Sequence, residues 1–162
     1  MEHRQNEIAR IKTTLAEMTA QAEKLALITV EEGAALRNAE IDLINNTVRN
    51  KQSVVESLTV TDNLFRQLLS QLGCNDSAEI DAFLNSENID PSITQSWRQY
   101  IEIMKRCDNL NRQNSALVNI GLRHTRQAID FLRSCVGEYV EPAVYAPTQR
   151  RSSQSGYIIA KA

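Results

Sequence analysis

Apolar residues recur at threes and fours over most of this chain, and valine and isoleucine nowhere alternate with polar residues ahead of the C-terminal tail. Spacings of three and four put side chains on one face of a helix, whereas alternation would have marked a strand. The clearest run is Pro91 to Val136. Its stripe begins as Ile93, Trp97, Tyr100, Ile101, Met104 and Cys107 and resumes as Val118, Leu122, Ile129, Leu132 and Val136. Asp90-Pro91 supplies an N-cap and a proline at the first helical position. At about 1.5 Å per residue this helix is roughly 65 Å long. No small domain is that thick, so the rest of the chain must run alongside it. Midway, Asn111 and Asn114 stand where apolar residues are due. A buried Asn in a helix seam fixes register or partner choice at a cost in stability. Asparagines satisfied at a bundle edge are the plainer alternative.

The first helix carries a heptad-like stripe, Ile8, Ile11, Leu15, Met18, Ala22 and Leu25. Two ends compete for it. Thr29-Val30-Glu31-Glu32 matches a capping box that would start a new helix. The favoured reading is one helix to about Arg37 with a turn at Asn38-Ala39-Glu40. Gly33 suits a helix interior poorly, at about 1 kcal/mol against alanine. A second long helix runs to about Leu72, with Ile41, Ile44, Val48, Val55, Leu58, Phe65, Leu69 and Leu72 on one face and Lys51 and Asp62 interrupting it. Such interruptions are common at bundle edges and predict no chemistry. Leu72-Gly73 is a stop, since glycine takes the left-handed cap. Asp76 with Glu79 forms another capping box, opening a short helix to about Asn85 whose Ile80, Phe83 and Leu84 pin it to the bundle end.

Composition fits this outline. Only five glycines and three prolines in 162 residues leave few, long elements, and 42% hydrophobic content is enough for a core. The expected fold is all-α: an elongated antiparallel helical bundle, or coiled-coil hairpin, of three long helices plus one short one. A partly disordered C-terminal tail follows. The domain spans 1–137 and the tail 138–162. A net charge of −2 gives no general attraction for nucleic acid. The connector 73–90 holds five acids and no base, whereas Pro91 to Val136 holds seven bases against three acids. Neighbouring helices balancing each other's charge is the simplest account.

The start lacks the apolar core of a signal peptide, and the longest apolar run, Leu25 to Ile28, is far short of a membrane span. Cys74, Cys107 and Cys135 are odd in number and widely spaced, as reduced thiols of a cytoplasmic protein would be. After Gly137 the chain turns proline-bearing, then polar and basic, and ends with Tyr157-Ile158-Ile159-Ala160. Proline stops the helix. A disordered segment with apolar anchors binds a partner or folds back on its own bundle. No phosphate loop, zinc spacing or catalytic constellation appears, so neither enzyme activity nor a cofactor or metal is expected. His124 lacks the Lys and Gly that usually follow a phospho-accepting histidine and reads as a surface residue. Buried structural thiols are the expectation for Cys107 and Cys135.

Several motifs together resemble the FlgN family of flagellar export chaperones. They are the Arg66 to Leu72-Gly73 close of the second helix, Asn111-Arg112-Gln113-Asn114-Ser115-Ala116-Leu117, and Arg126-Gln127-Ala128-Ile129-Asp130-Phe131-Leu132. Val144-Tyr145, a polar spacer and Gly156-Tyr157-Ile158-Ile159-Ala160 complete the order. Ser115 stands where the family usually has glycine, and Ala146-Pro147 replaces a glycine-containing turn. The resemblance implies a cytoplasmic, non-enzymatic chaperone for flagellar type III export. It implies binding to the C-terminal helical segments of hook–filament junction proteins of the FlgK and FlgL type. Premature assembly is prevented and the client is delivered to the membrane export gate, without membrane insertion. Client contacts are then expected at Ile129, Leu132, Val136, Tyr139, Val140, Val144, Tyr145, Ile158 and Ile159, with Asn111 and Asn114 setting packing register. A homodimer in the free state is a further expectation. The alternative is a self-associating structural coiled coil with no export role.

Overall fold

The absence of turn-formers over long stretches produces four helices in the computed structural model, which describes residues 2–85 and 89–136. They are α1 (Glu2–Asn38), α2 (Ile41–Gln71), α3 (Ser77–Leu84) and α4 (Pro91–Val136). Each boundary has a local cause. α1 runs straight through Thr29, whose hydroxyl donates to the Leu25 carbonyl at 2.7 Å instead of capping a new helix. It ends at Ala39, which adopts a left-handed φ of 55°. The Glu40 amide then donates back to the Ala35 carbonyl at 3.0 Å, closing the last turn. α2 closes the same way at Gly73, φ 88°, with the Cys74 amide on the Leu69 carbonyl at 3.0 Å. α3 opens on Asp76, which accepts from the Glu79 amide at 2.8 Å while the Glu79 carboxylate accepts from the Asn75 amide. α4 opens where the Asp90 carboxylate accepts from the Ser92 amide at 2.9 Å, with Pro91 in the first turn.

Three seams build the core. That of α1 is the expected one, with Ile11, Leu15, Met18, Ala22 and Leu25 all buried. α4 buries Ile93, Tyr100 and Cys107, with Trp97 and Met104 half-buried beside them. α2 differs from expectation. Its buried positions are Thr47, Val54, Leu58, Thr61, Phe65, Leu68 and Leu69. Ile41, Val48 and Val55 are instead 68%, 48% and 44% exposed. Counting back from Leu58 in fours and threes gives Val54, Lys51 and Thr47. The seam therefore passes through polar residues, and the valines one step away are its neighbours.

Cross-helix contacts fix the register. The Cys107 thiol lies 3.7 Å from the Ala22 carbonyl and the Asn114 amide 2.8 Å from the Thr29 carbonyl, so α4 runs parallel to α1 at a constant offset. Lys51 meets Asn111 and Phe65 stacks on Trp97 at 5.7 Å, so α4 runs antiparallel to α2. α3 seals one end. Ile80 and Leu84 are buried, the Trp97 indole donates to Asp81 at 2.9 Å, and the Thr94 hydroxyl donates to the Leu84 carbonyl at 2.6 Å. Fully burying a side chain such as Phe65, Leu68 or Leu69 contributes about 1.5–3 kcal/mol.

By packing, Met1–His124 forms one unit and Thr125–Ala162 a second. In the second, the described part is the helical stretch 125–136, where Ile129, Phe131 and Leu132 are exposed. The expected boundary at Gly137 lies outside the described residues.

Candidate functional site

All three seams turn polar at one level of the first unit. α1 contributes Thr29 and Glu32, α2 Lys51, and α4 Asn111 and Asn114. The Lys51 ammonium donates to the Glu32 carboxylate at 2.6 Å and to the Asn111 side-chain oxygen at 2.6 Å. The Asn114 amide donates to the Thr29 carbonyl at 2.8 Å and to the same Glu32 carboxylate at 2.9 Å. Lys51 thus ties three helices together, and Glu32 receives both a cation and an amide. The pair keeps side-chain exposures of only 20% and 13%, so water screens it less than a surface pair. Lys51 is no incidental interruption of the seam. It is the cation that neutralises a carboxylate placed in the bundle.

Gly33 is part of this arrangement. A Cβ built there would lie 2.5 Å from the Asn114 side-chain oxygen. Glycine in mid-helix is the space into which the asparagine fits, which accounts for its poor helix propensity being tolerated. Asn111, by contrast, is exposed, and its side-chain oxygen accepts from Lys51.

Beside the layer lies a half-open groove of about 350 Å³ between α1, α2 and α4. Leu36, Ile44, Val48 and Val118 give it apolar walls, and Asn111, Ser115 and Asn119 a polar rim. From Val118 to Cys135 every side chain of α4 is exposed. Val118, Ile120 and Leu122 are 43%, 47% and 51% exposed in the first unit. In the second, Ile129, Phe131 and Leu132 are 42%, 67% and 60% exposed. Ile129 and Leu132, three residues apart, share a helix face, and Phe131 points elsewhere. Of the other expected contacts, Val136 closes α4 with its side chain outside the described set. Tyr139, Val140, Val144, Tyr145, Ile158 and Ile159 lie outside the described residues altogether.

Burial pushes the Cys107 thiol up, and burial with the nearby Glu79 carboxylate does the same for Cys74. Cys135 is exposed, which departs from the expected buried thiol. Desolvation, with help from the Asp62 charge, drives the Tyr100 phenol up to about 12. Among the described residues no group of three or more His, Cys, Asp or Glu could hold a metal ion, and no helix is long and apolar enough to cross a membrane.

The sequence alone does not single out Glu32 or Lys51 as site residues, and it places Val48 on the core-facing stripe, whereas the structure leaves it 48% exposed. The signal for Lys51 was the unbroken three-four count of α2. For Glu32 it was the continuation of the α1 stripe through Thr29, Glu32 and Leu36. A protein-family model described as FlgN protein matches residues 1–152. No curated protein and no solved structure matches the chain.

Proposed function

We propose that this chain, which belongs to the FlgN family of flagellar export chaperones, binds the C-terminal helical segments of hook–filament junction proteins of the FlgK and FlgL type. It acts in the cytoplasm, holds those subunits back from premature assembly and delivers them to the export gate. The observation that carries this reading is the bare apolar face of late α4, where Ile129 and Leu132 remain 42% and 60% exposed at helical spacing. Subunits that polymerise through amphipathic terminal helices have an apolar face that must be covered until assembly. A helix with an uncovered apolar face is the natural cover. Client contacts are assigned to Ile129, Leu132 and Val136, and onward to Tyr139, Val140, Val144, Tyr145, Ile158 and Ile159. Asn111 and Asn114 set the packing register of the bundle.

The test is calorimetry of the full chain, and of the chain lacking residues 138–162, against a peptide from the C-terminal helix of a junction protein. One-to-one binding much weakened on truncation is the expected result. Binding retained on truncation moves the contacts onto the helices. Absence of binding by the full chain refutes the client assignment and leaves self-association through the same face, measured as a concentration-dependent dimer, as the better account.

A further inference from the structure

We infer that the groove between α2 and α4 beside the polar layer is a second, preformed seat for the client, taking the apolar stripe of an amphipathic helix. This rests on the chaperone reading and adds a site to it. Apolar side chains line the groove from antiparallel helices, Ile44 and Val48 on α2 and Val118 on α4, together with Leu36 of α1. Val48 and Val118 stay 48% and 43% exposed, so packing among the described residues leaves about half of each uncovered. A space of about 350 Å³ admits a short row of aliphatic side chains from an added helix but not the body of a helix. An added helix in this position lies along the opening and sends its stripe inward.

The polar layer explains why the groove is open. Lys51 reaches from α2 to Asn111 on α4 at 2.6 Å and to Glu32 on α1 at 2.6 Å. These bridges hold the helices at the span of a long side chain, where a smaller apolar residue would let α4 close on α2. The occupant's chemistry follows from the walls. Among the described residues, Glu32 and Lys51 are the charged ones lining the groove, and they neutralise each other. Asn111, Ser115 and Asn119 stand four apart on one edge, a row of amide and hydroxyl groups. The matching helix has an uncharged aliphatic stripe flanked by hydrogen-bonding, uncharged side chains. Its binding should change little with added salt.

The experiment uses the full chain and a junction-protein C-terminal helix peptide in calorimetry at low and high salt. Val48→Glu and Val118→Glu should each weaken binding about tenfold, the equivalent of one valine's burial. Val60→Glu, an exposed valine outside the groove, should bind as the unaltered chain does, and helicity should be unchanged in all three. A photocrosslinking residue at exposed Ser115 should label the peptide, and one at Val60 should not. If the unaltered chain binds but both groove variants bind equally well and Ser115 gives no crosslink, the groove assignment is overturned alone. If the unaltered chain does not bind, both the groove assignment and the chaperone reading fall. A concentration-dependent dimer abolished by the groove variants would put a second copy in the seat and overturn the client assignment.

Discussion

Replacing Gly33 by alanine pits two known effects of opposite sign against each other. In an exposed helix interior, Gly→Ala is stabilising by about 1 kcal/mol. At Gly33 the new Cβ falls 2.5 Å from the Asn114 side-chain oxygen, closer than such atoms approach. Asn114 is 6% exposed and held by hydrogen bonds at 2.8 and 2.9 Å, so it moves only by giving these up. Losing two buried hydrogen bonds costs about 3 kcal/mol together. The net expectation is destabilisation by about 2 kcal/mol, or a Tm lower by about 4–8 °C for a chain of this size. Urea unfolding followed by far-ultraviolet circular dichroism measures it. The decisive comparison is the same substitution made in an Asn114→Ala background. With the asparagine gone, Gly33→Ala should become stabilising by about 1 kcal/mol. If the single substitution stabilises the otherwise unaltered chain, Asn114 is not pinned as described and the account of the glycine is wrong.

Ala39 holds a left-handed φ of 55° that glycine adopts without steric cost, so Ala39→Gly should stabilise by up to about 1 kcal/mol in the same urea assay. Cys135 is exposed while Cys74 and Cys107 are buried with raised pKa values, so a thiol reagent at neutral pH should modify one cysteine quickly and two only on unfolding. The Tyr100 phenol has a folded pKa of about 12, above the ordinary value of 10.0. Its contribution to stability is therefore complete below pH 10.0 and is lost as pH rises towards about 12, because the unfolded chain releases the proton first. Urea midpoints across that range should fall less steeply in Tyr100→Phe.

What could be read from the sequence followed where apolar residues marked the seam themselves. The stripes of α1 and of early α4 are made of Ile, Leu, Met, Ala, Trp and Cys. Asp90-Pro91 marks the start of α4, and in both stripes pattern and structure agree almost residue for residue. In α2 the seam runs through Thr47, Lys51 and Thr61, and a hydrophobic count slid onto Val48 and Val55 instead. Asn111 and Asn114 were conspicuous as polar residues in an apolar stripe. Their partners were not, because Lys51 is 60 residues from Asn111 and Glu32 82 residues from Asn114. Such pairings depend on register, which no single helix encodes. Gly33 looked like a defect until the side chain filling its space was known.

The single tryptophan has a practical consequence for following any of these changes. Trp97 is stacked between Phe65 and Tyr100, each 5.7 Å from its centroid, and donates to Asp81 of α3. Along α4 it stands about 20 Å from Asn111, at 1.5 Å per residue. Its emission is therefore a gauge of one end of the bundle, where α2, α3 and α4 meet. Fraying around Gly33 and Lys51 leaves that indole in its stack and its colour unchanged, while helical dichroism already declines. Fluorescence read alone would report such a molecule as intact, and the gap between the two signals is itself the measure of how independently the two ends open.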